Sequence, residues 1–178
     1  VLNTSPHTHR LALLNHIVTA LHKATQLDWI GIYRLVYISD SSTNSPVSHL
    51  MKEAYQGAIS RALFPVTSAF AKHSNNSTVA LSGRGRLIQD TGTYEGAYYV
   101  CDLAVQSELC LPILDPDSGA VIGLIDAESF TPGFFDAATI LLVSQACQVL
   151  GDNRLYITHR TLNHMYKPYT SGEIGRAS

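Results

Sequence analysis

Charge is scarce in this chain of 178 residues: 12 Lys and Arg stand against 14 Asp and Glu, 15% in all, with a formal net charge of -2. Average soluble chains carry about 25%, and no run of one sign occurs, so the electrostatic footprint that holds phosphate backbones is missing and no nucleic-acid partner is expected. Long apolar runs are missing too. The longest, Ala137 to Leu150, is broken by Ser144, Gln145 and Gln148 and falls short of the roughly 18 residues of a bilayer span, so no membrane role is expected. Cysteine is represented only by Cys101, Cys110 and Cys147, with no CxxC and no paired histidines. That excludes a disulfide framework and a zinc site, points to a reducing compartment, here the cytoplasm, and leaves no metal expected. The eight histidines form no HExxH pattern, and 12 glycines and 7 prolines follow no period, which removes collagen-like classes. The first residue is Val1 rather than Met, so the start of the chain says nothing about a leader.

What is present is apolar material, 46% of the chain, enough for the core of one domain. Leu11, Leu14, Val18 and Leu21 recur at helical spacing and predict a first helix from Pro6 to about Gln26. WIGIYRLVYI, Trp29 to Ile38, is aromatic and β-branched and predicts a buried strand. Asp40 to Ser48 reads as a polar loop and His49 to Gly57 as a second strand. Between Ala58 and Gly85 the pattern is ambiguous: Leu63 to Val66 suits a short strand, Ser68 to His73 one helical turn, and SNNSTVALSGRG, Ser74 to Gly85, a solvated loop. Leu87 to Gln89 reads as a short strand and Thr91 to Tyr99 as a loop or helical turn. Ser107 to Leu114 and Ala120 to Ser129 form the clearest hairpin, joined by DPDSG. Thr131-Pro132 and Asp136 offer helix starts for a last apolar helix that Gly151 is placed to end. The order describes an α+β domain, one largely antiparallel sheet with terminal helices over a face.

Three clusters carry candidate chemistry. Cys101-Asp102 follows an aromatic segment, where a thiol is either exposed and reactive or inert filler. Strand alternation sends Glu108, Cys110 and Pro112 to one face. Asp126 and Glu128, two apart in VIGLIDAES, project from one face about 6 to 7 Å apart. Pairing through the DPDSG turn would gather three carboxylates and a thiol, and repulsion with burial would raise at least one carboxyl pKa, making a proton donor. The alternative is the wet side of an ordinary antiparallel sheet. Trp29 and Tyr33, four apart on one strand, are either core or an aromatic wall for a small ligand.

DWIGIY (Asp28 to Tyr33), AYQG (Ala54 to Gly57), VCDLAVQSELCLP (Val100 to Pro112), VIGLIDAES (Val121 to Ser129) and the closing GFFD helix together resemble the GAF-domain free methionine-(R)-sulfoxide reductases over residues 28 to 150. The resemblance implies a GAF fold, a six-stranded largely antiparallel sheet flanked by N- and C-terminal helices. It implies a homodimer; the chain itself reads as one domain over 1–154 with an extension over 155–178 that is expected to be partly disordered. It makes Cys101 the thiol that attacks the sulfoxide, and Glu108, Asp126 and Glu128 the acids that hold the amino group and protonate the oxygen. Trp29 and Tyr33 become pocket walls. Glu128 stands where Asp is usual. The family's two further cysteines are missing, since Ser60-Arg61 and Asn75 to Thr78 occupy that region. A sulfenic acid on Cys101 would then be reduced by an external dithiol or thioredoxin-like protein, with no bound cofactor, or resolved by Cys110. The rival reading is a non-catalytic GAF module that binds a nucleotide or amino acid for signalling.

Overall fold

The structure, a computed structural model, describes residues 6–39, 45–96 and 102–152. Cys101, the end of the Thr91 to Tyr99 stretch and the extension expected over 155–178 lie outside the described residues.

Among the described residues ten elements follow in order: α1 (Pro6–Thr25), β1 (Trp29–Ser39), β2 (Pro46–Gln56), β3 (Leu63–Pro65), α2 (Ser68–Ala71), α3 (Asn75–Ser82), β4 (Arg86–Ile88), β5 (Ser107–Leu114), β6 (Val121–Ser129) and α4 (Ala137–Asp152). The six strands form one sheet in the order β3-β2-β1-β6-β5-β4, with every neighbouring pair antiparallel. The α+β reading and the six-stranded GAF sheet therefore hold. No helix among the described residues is long and apolar enough to cross a membrane.

The central β1, β6 and β5 are buried on both faces, and their alternation sorts two cores. On one face Ile30, Ile32, Leu109, Ile113, Ile125 and Ala127 meet Leu14, Val18 and Leu21 of α1 and Val143, Cys147 and Leu150 of α4. Each such apolar side chain contributes on the order of 1.5–3 kcal/mol by leaving water. Glu53 of β2, its side chain only 3% exposed, ties α1 to the sheet by accepting from Arg10 (2.8 Å) and from Arg34 of β1 (2.7 Å). On the other face Trp29, Tyr33, Leu50, Cys110 and Leu124 meet Phe64, Val66, Val79 and Ala80. A β-bulge between Ile32 and Tyr33 adjusts the β1–β2 register there.

Three sequence expectations are corrected. Ser74 to Gly85 is not a solvated loop, because Ser74 caps α3 through its hydroxyl, which accepts from Ser77 N, and Gly83 closes the helix with φ 65°. Val79 and Ala80 then bury against the sheet, and packing rather than propensity makes this short helix. Gly151 does not end the last helix but lies inside α4. A Cβ there would run into the Leu114 carbonyl, so glycine serves the close approach of helix to strand. The second strand begins at Pro46, which shortens the expected polar loop. The Asp115 to Gly119 turn is as read: the Asp115 carboxylate accepts from Asp117 N, Ser118 N and Ser118 Oγ.

Candidate functional site

The hairpin β5–β6 places the acids by register. Glu108 is paired with Glu128 and Cys110 with Asp126, and β1 adds Trp29 opposite Glu128 and Gly31 opposite Asp126. Because side chains of paired residues share a face, three carboxylates and a thiol meet on the face that α3 covers. One oxygen from each of Glu108, Asp126 and Glu128 lies within 4.8 Å of the others. Their residues are only 4%, 3% and 8% exposed, so this is no wet side of a sheet. Oxygen sets of this kind suit hard divalent cations or an ammonium group.

Two residues of α3 meet the acids. Asn75 donates its side-chain amide to Glu108 Oε1, and Asn76 donates Nδ2–H to Asp126 Oδ2 at 2.8 Å. The Cys110 thiol donates to Asn76 Oδ1 at 3.2 Å. Two buried acceptors in the cluster, Asn75 Oδ1 and Asp126 Oδ1, have no hydrogen-bond partner among the described residues. A buried acceptor without a donor costs about 1–3 kcal/mol, which a ligand bearing N–H or O–H groups would recover.

The electrostatics favour protons. Burial first, then the charges of Glu108 and Glu128, hold the Asp126 carboxyl well above the usual carboxylate range, while the Asn76 hydrogen bond pulls it back. Burial, Glu108 and Asp102 push Glu128 up to about 8, against an opposing pull from Lys52. Burial also lifts the Cys110 thiol well above its ordinary value, with Asp126 and Glu108 adding to the effect. A thiol so placed stays protonated and is a poor nucleophile.

Phe64, Ser74, Asn75, Asn76, Glu108, Asp126 and Glu128 line a recess of about 220 Å³, open mouth included. The three expected acids are thus brought together. Trp29 and Tyr33 stand on the same face but are not among the residues lining this recess. Tyr33 packs edge-on against Phe64 at 5.6 Å and donates its hydroxyl to Arg61 O. Trp29 folds its indole over Gly31, where a Cβ would collide with it, and donates to Ala58 O at 3.0 Å. Cys110 is fully buried beside the acids. Asp102, the residue after Cys101, is exposed yet acts electrostatically on Glu128. Phe64, Asn75 and Asn76 were not foreseen as site residues. The signal for the asparagines was local, a Ser at one end and a Gly at the other bracketing eight residues, the capping pattern of a short helix.

Comparison with known proteins agrees with this architecture. The model of the GAF domain matches residues 9–152. A protein of Zymomonas mobilis, ZMO0507, is 30% identical over 125 residues, covering 70% of this chain and 67% of its own. The fold is similar to that of type II free methionine-R-sulfoxide reductase from Thermoplasma acidophilum, with TM-score 0.70 and 18% identity over 88% of this chain and 96% of the other. It is similar as well to free methionine-R-sulfoxide reductase from Neisseria meningitidis in complex with its substrate, with TM-score 0.66 and 20% identity over 86% and 81%. The GAF domain of Acinetobacter phosphoenolpyruvate-protein phosphotransferase gives TM-score 0.64 at 14% identity over 87% and 86%. At such identities the three structures speak for the fold alone. Six antiparallel strands, helices on both faces and a family match spanning 9–152 make one statement secure: the chain belongs to the GAF domain family.

Proposed function

We propose that this protein reduces free L-methionine-(R)-sulfoxide to methionine. The observation that carries the reading is the gathering of three carboxyl groups in one small recess, with burial holding Asp126 and Glu128 above the usual carboxylate range. Oxide does not leave a sulfoxide unless it is protonated, and a buried carboxylic acid that keeps its proton near neutral pH is suited to that task. The remaining acceptors suit the substrate's ammonium group. The fold shared with the Thermoplasma and Neisseria enzymes supports the same reading.

In this mechanism the Cys101 thiolate attacks the sulfoxide sulfur while Asp126 or Glu128 protonates the oxygen. An Sγ–S bond forms as the S–O bond breaks and the oxygen leaves as water. A water then adds to Cys101 Sγ while the Sγ–S bond breaks, its electron pair staying on the methionine sulfur, which is thereby reduced by two electrons, and Cys101 ends as a sulfenic acid. Two external thiol groups, from a dithiol or a thioredoxin-like protein, then return Cys101 to the thiol and leave a disulfide and water. Burial and protonation of Cys110 are the reverse of what a resolving thiolate needs, so resolution falls to the external donor. The assembly is a homodimer in this reading, supported by Leu141, Leu142 and Val149, exposed along α4.

Methionine formation from R and S sulfoxide with dithiothreitol, in the wild type and in Cys101→Ser, tests the reading. Turnover of the R form that vanishes in the variant is expected. No turnover in the folded wild type would overturn it and leave a binding module.

A further inference from the structure

Asn76 and Cys110 form a buried chain that ends on Asp126. The thiol donates to Asn76 Oδ1 at 3.2 Å, and Asn76 Nδ2 donates to Asp126 Oδ2 at 2.8 Å. In the observed orientation the amide oxygen accepts from the thiol and the amide N–H donates to the carboxyl; turning the amide would instead offer its N–H to sulfur, a weak acceptor. Cys110 therefore favours the facing of the Asn76 amide that sets its N–H on Asp126. The asparagine itself is held by the first turn of α3, which Ser74 caps and which Ser77 Oγ anchors by donating to Pro65 O at 2.9 Å.

The consequence falls on Asp126. With Oδ2 occupied by an N–H, a proton on this carboxyl belongs on Oδ1, the buried oxygen that no donor reaches among the described residues. We propose that Asn76, oriented by the Cys110 thiol, is a positioning residue that assigns the acid proton of Asp126 to Oδ1 and so presents it to the ligand in the recess. The inference rests on the proposed reductase reading for its catalytic meaning, and on the hydrogen bonds alone for its structural content. It also gives Cys110 a role that needs no redox change.

The groups facing Asp126 are Glu108 and Cys110 from β5 and Glu128 from β6, while α3 brings only neutral amides. Arg86 of β4 acts on Cys110, and Lys52 of β2 and Asp102 act on Glu128. Glu108 stands close enough to share the proton of Asp126. An amide donor stabilises the ionised carboxylate, so its removal raises the pKa of Asp126 further and moves the basic limb of the activity profile to higher pH.

The test uses Asn76→Ala, Cys110→Ala and Cys110→Ser in single-turnover methionine formation across pH, together with ¹³C NMR titration of the Asp126 carboxyl. Asn76→Ala is expected to lower the rate about tenfold or more, with substrate affinity changed less than about threefold. Its basic limb and its Asp126 titration should both move up. Cys110→Ala should reproduce both shifts by freeing the amide to turn, and decides the matter if Asn76→Ala does not fold. Cys110→Ser, which keeps a donor, should restore the wild-type profile. An unmoved Asp126 titration in both alanine variants, or a Cys110→Ser that behaves as Cys110→Ala, would overturn the assignment. If the wild type forms no methionine the reductase reading fails, and the carboxyl titration alone then supports or overturns the positioning.

Discussion

The two faces of the sheet are made by the same strands and have opposite characters. Leu109, Ile113, Ile125 and Ala127 point into an apolar layer under α1 and α4. Their immediate neighbours Glu108, Cys110, Asp126 and Glu128 point to the layer under α3, where hydrogen bonds from Asn75 and Asn76 meet the acids. One face concentrates the driving force for folding, and the other holds groups that burial penalises. A period of two residues is what allows both to be written into one strand. Chemistry and stability should therefore be separable by mutating adjacent positions.

The largest effect expected is at Asp126. Asp126→Asn should cost about 10²–10⁴ in methionine formation if this carboxyl supplies the proton, while the thermal midpoint is not lowered, because asparagine is a neutral near-isostere of the protonated carboxyl that burial favours. Near-normal turnover would take Asp126 out of the mechanism. The adjacent Ile125→Ala should do the opposite, losing about 2–5 kcal/mol in urea unfolding with the turnover of the folded fraction kept. A variant that stayed stable and lost turnover would show that the faces are not independent.

A pH series sharpens the contrast. Glu128 has its pKa raised from 4.5 to about 8 in the folded protein, so the folded state holds a proton that the unfolded state releases between those values. Stability from this group is full below about pH 4.5 and is lost as pH rises through about 8, a change on the order of a few kcal/mol. Glu128→Gln should flatten that slope in chemical denaturation, and an unchanged slope would mean another group sets it. The smallest effect is expected at Gly31. Gly31→Ala must displace the Trp29 indole, costing about 1–3 kcal/mol and shifting the emission of the lone tryptophan to longer wavelength. Unchanged emission would mean that the backbone yields instead.

How far the sequence could be read depended on the range of the signal. The Ser107 to Leu114 and Val121 to Ser129 hairpin was legible because alternation and the DPDSG turn are local, and with it came the sharing of a face by Glu108, Asp126 and Glu128. The segment from Ser74 to Ser82 was not, because its composition favours loops and its burial against β5 and β6 comes from residues some 30 to 50 positions away, as the Asn75–Glu108 and Asn76–Asp126 bonds show. Phe64 was hidden for the same reason, since a three-residue strand has no periodicity to detect.

By itself, then, the sequence determined the class of fold, the pairing of the acids and their common face, because turn chemistry and the two-residue repeat are short-range properties. Only the tertiary structure decided that this face is dry, that Asn75 and Asn76 close it, and that Cys110 lies buried against Asn76 with its thiol protonated. Burial and the pKa shifts it causes depend on what covers a strand, and α3 is brought there by the folding of the whole chain.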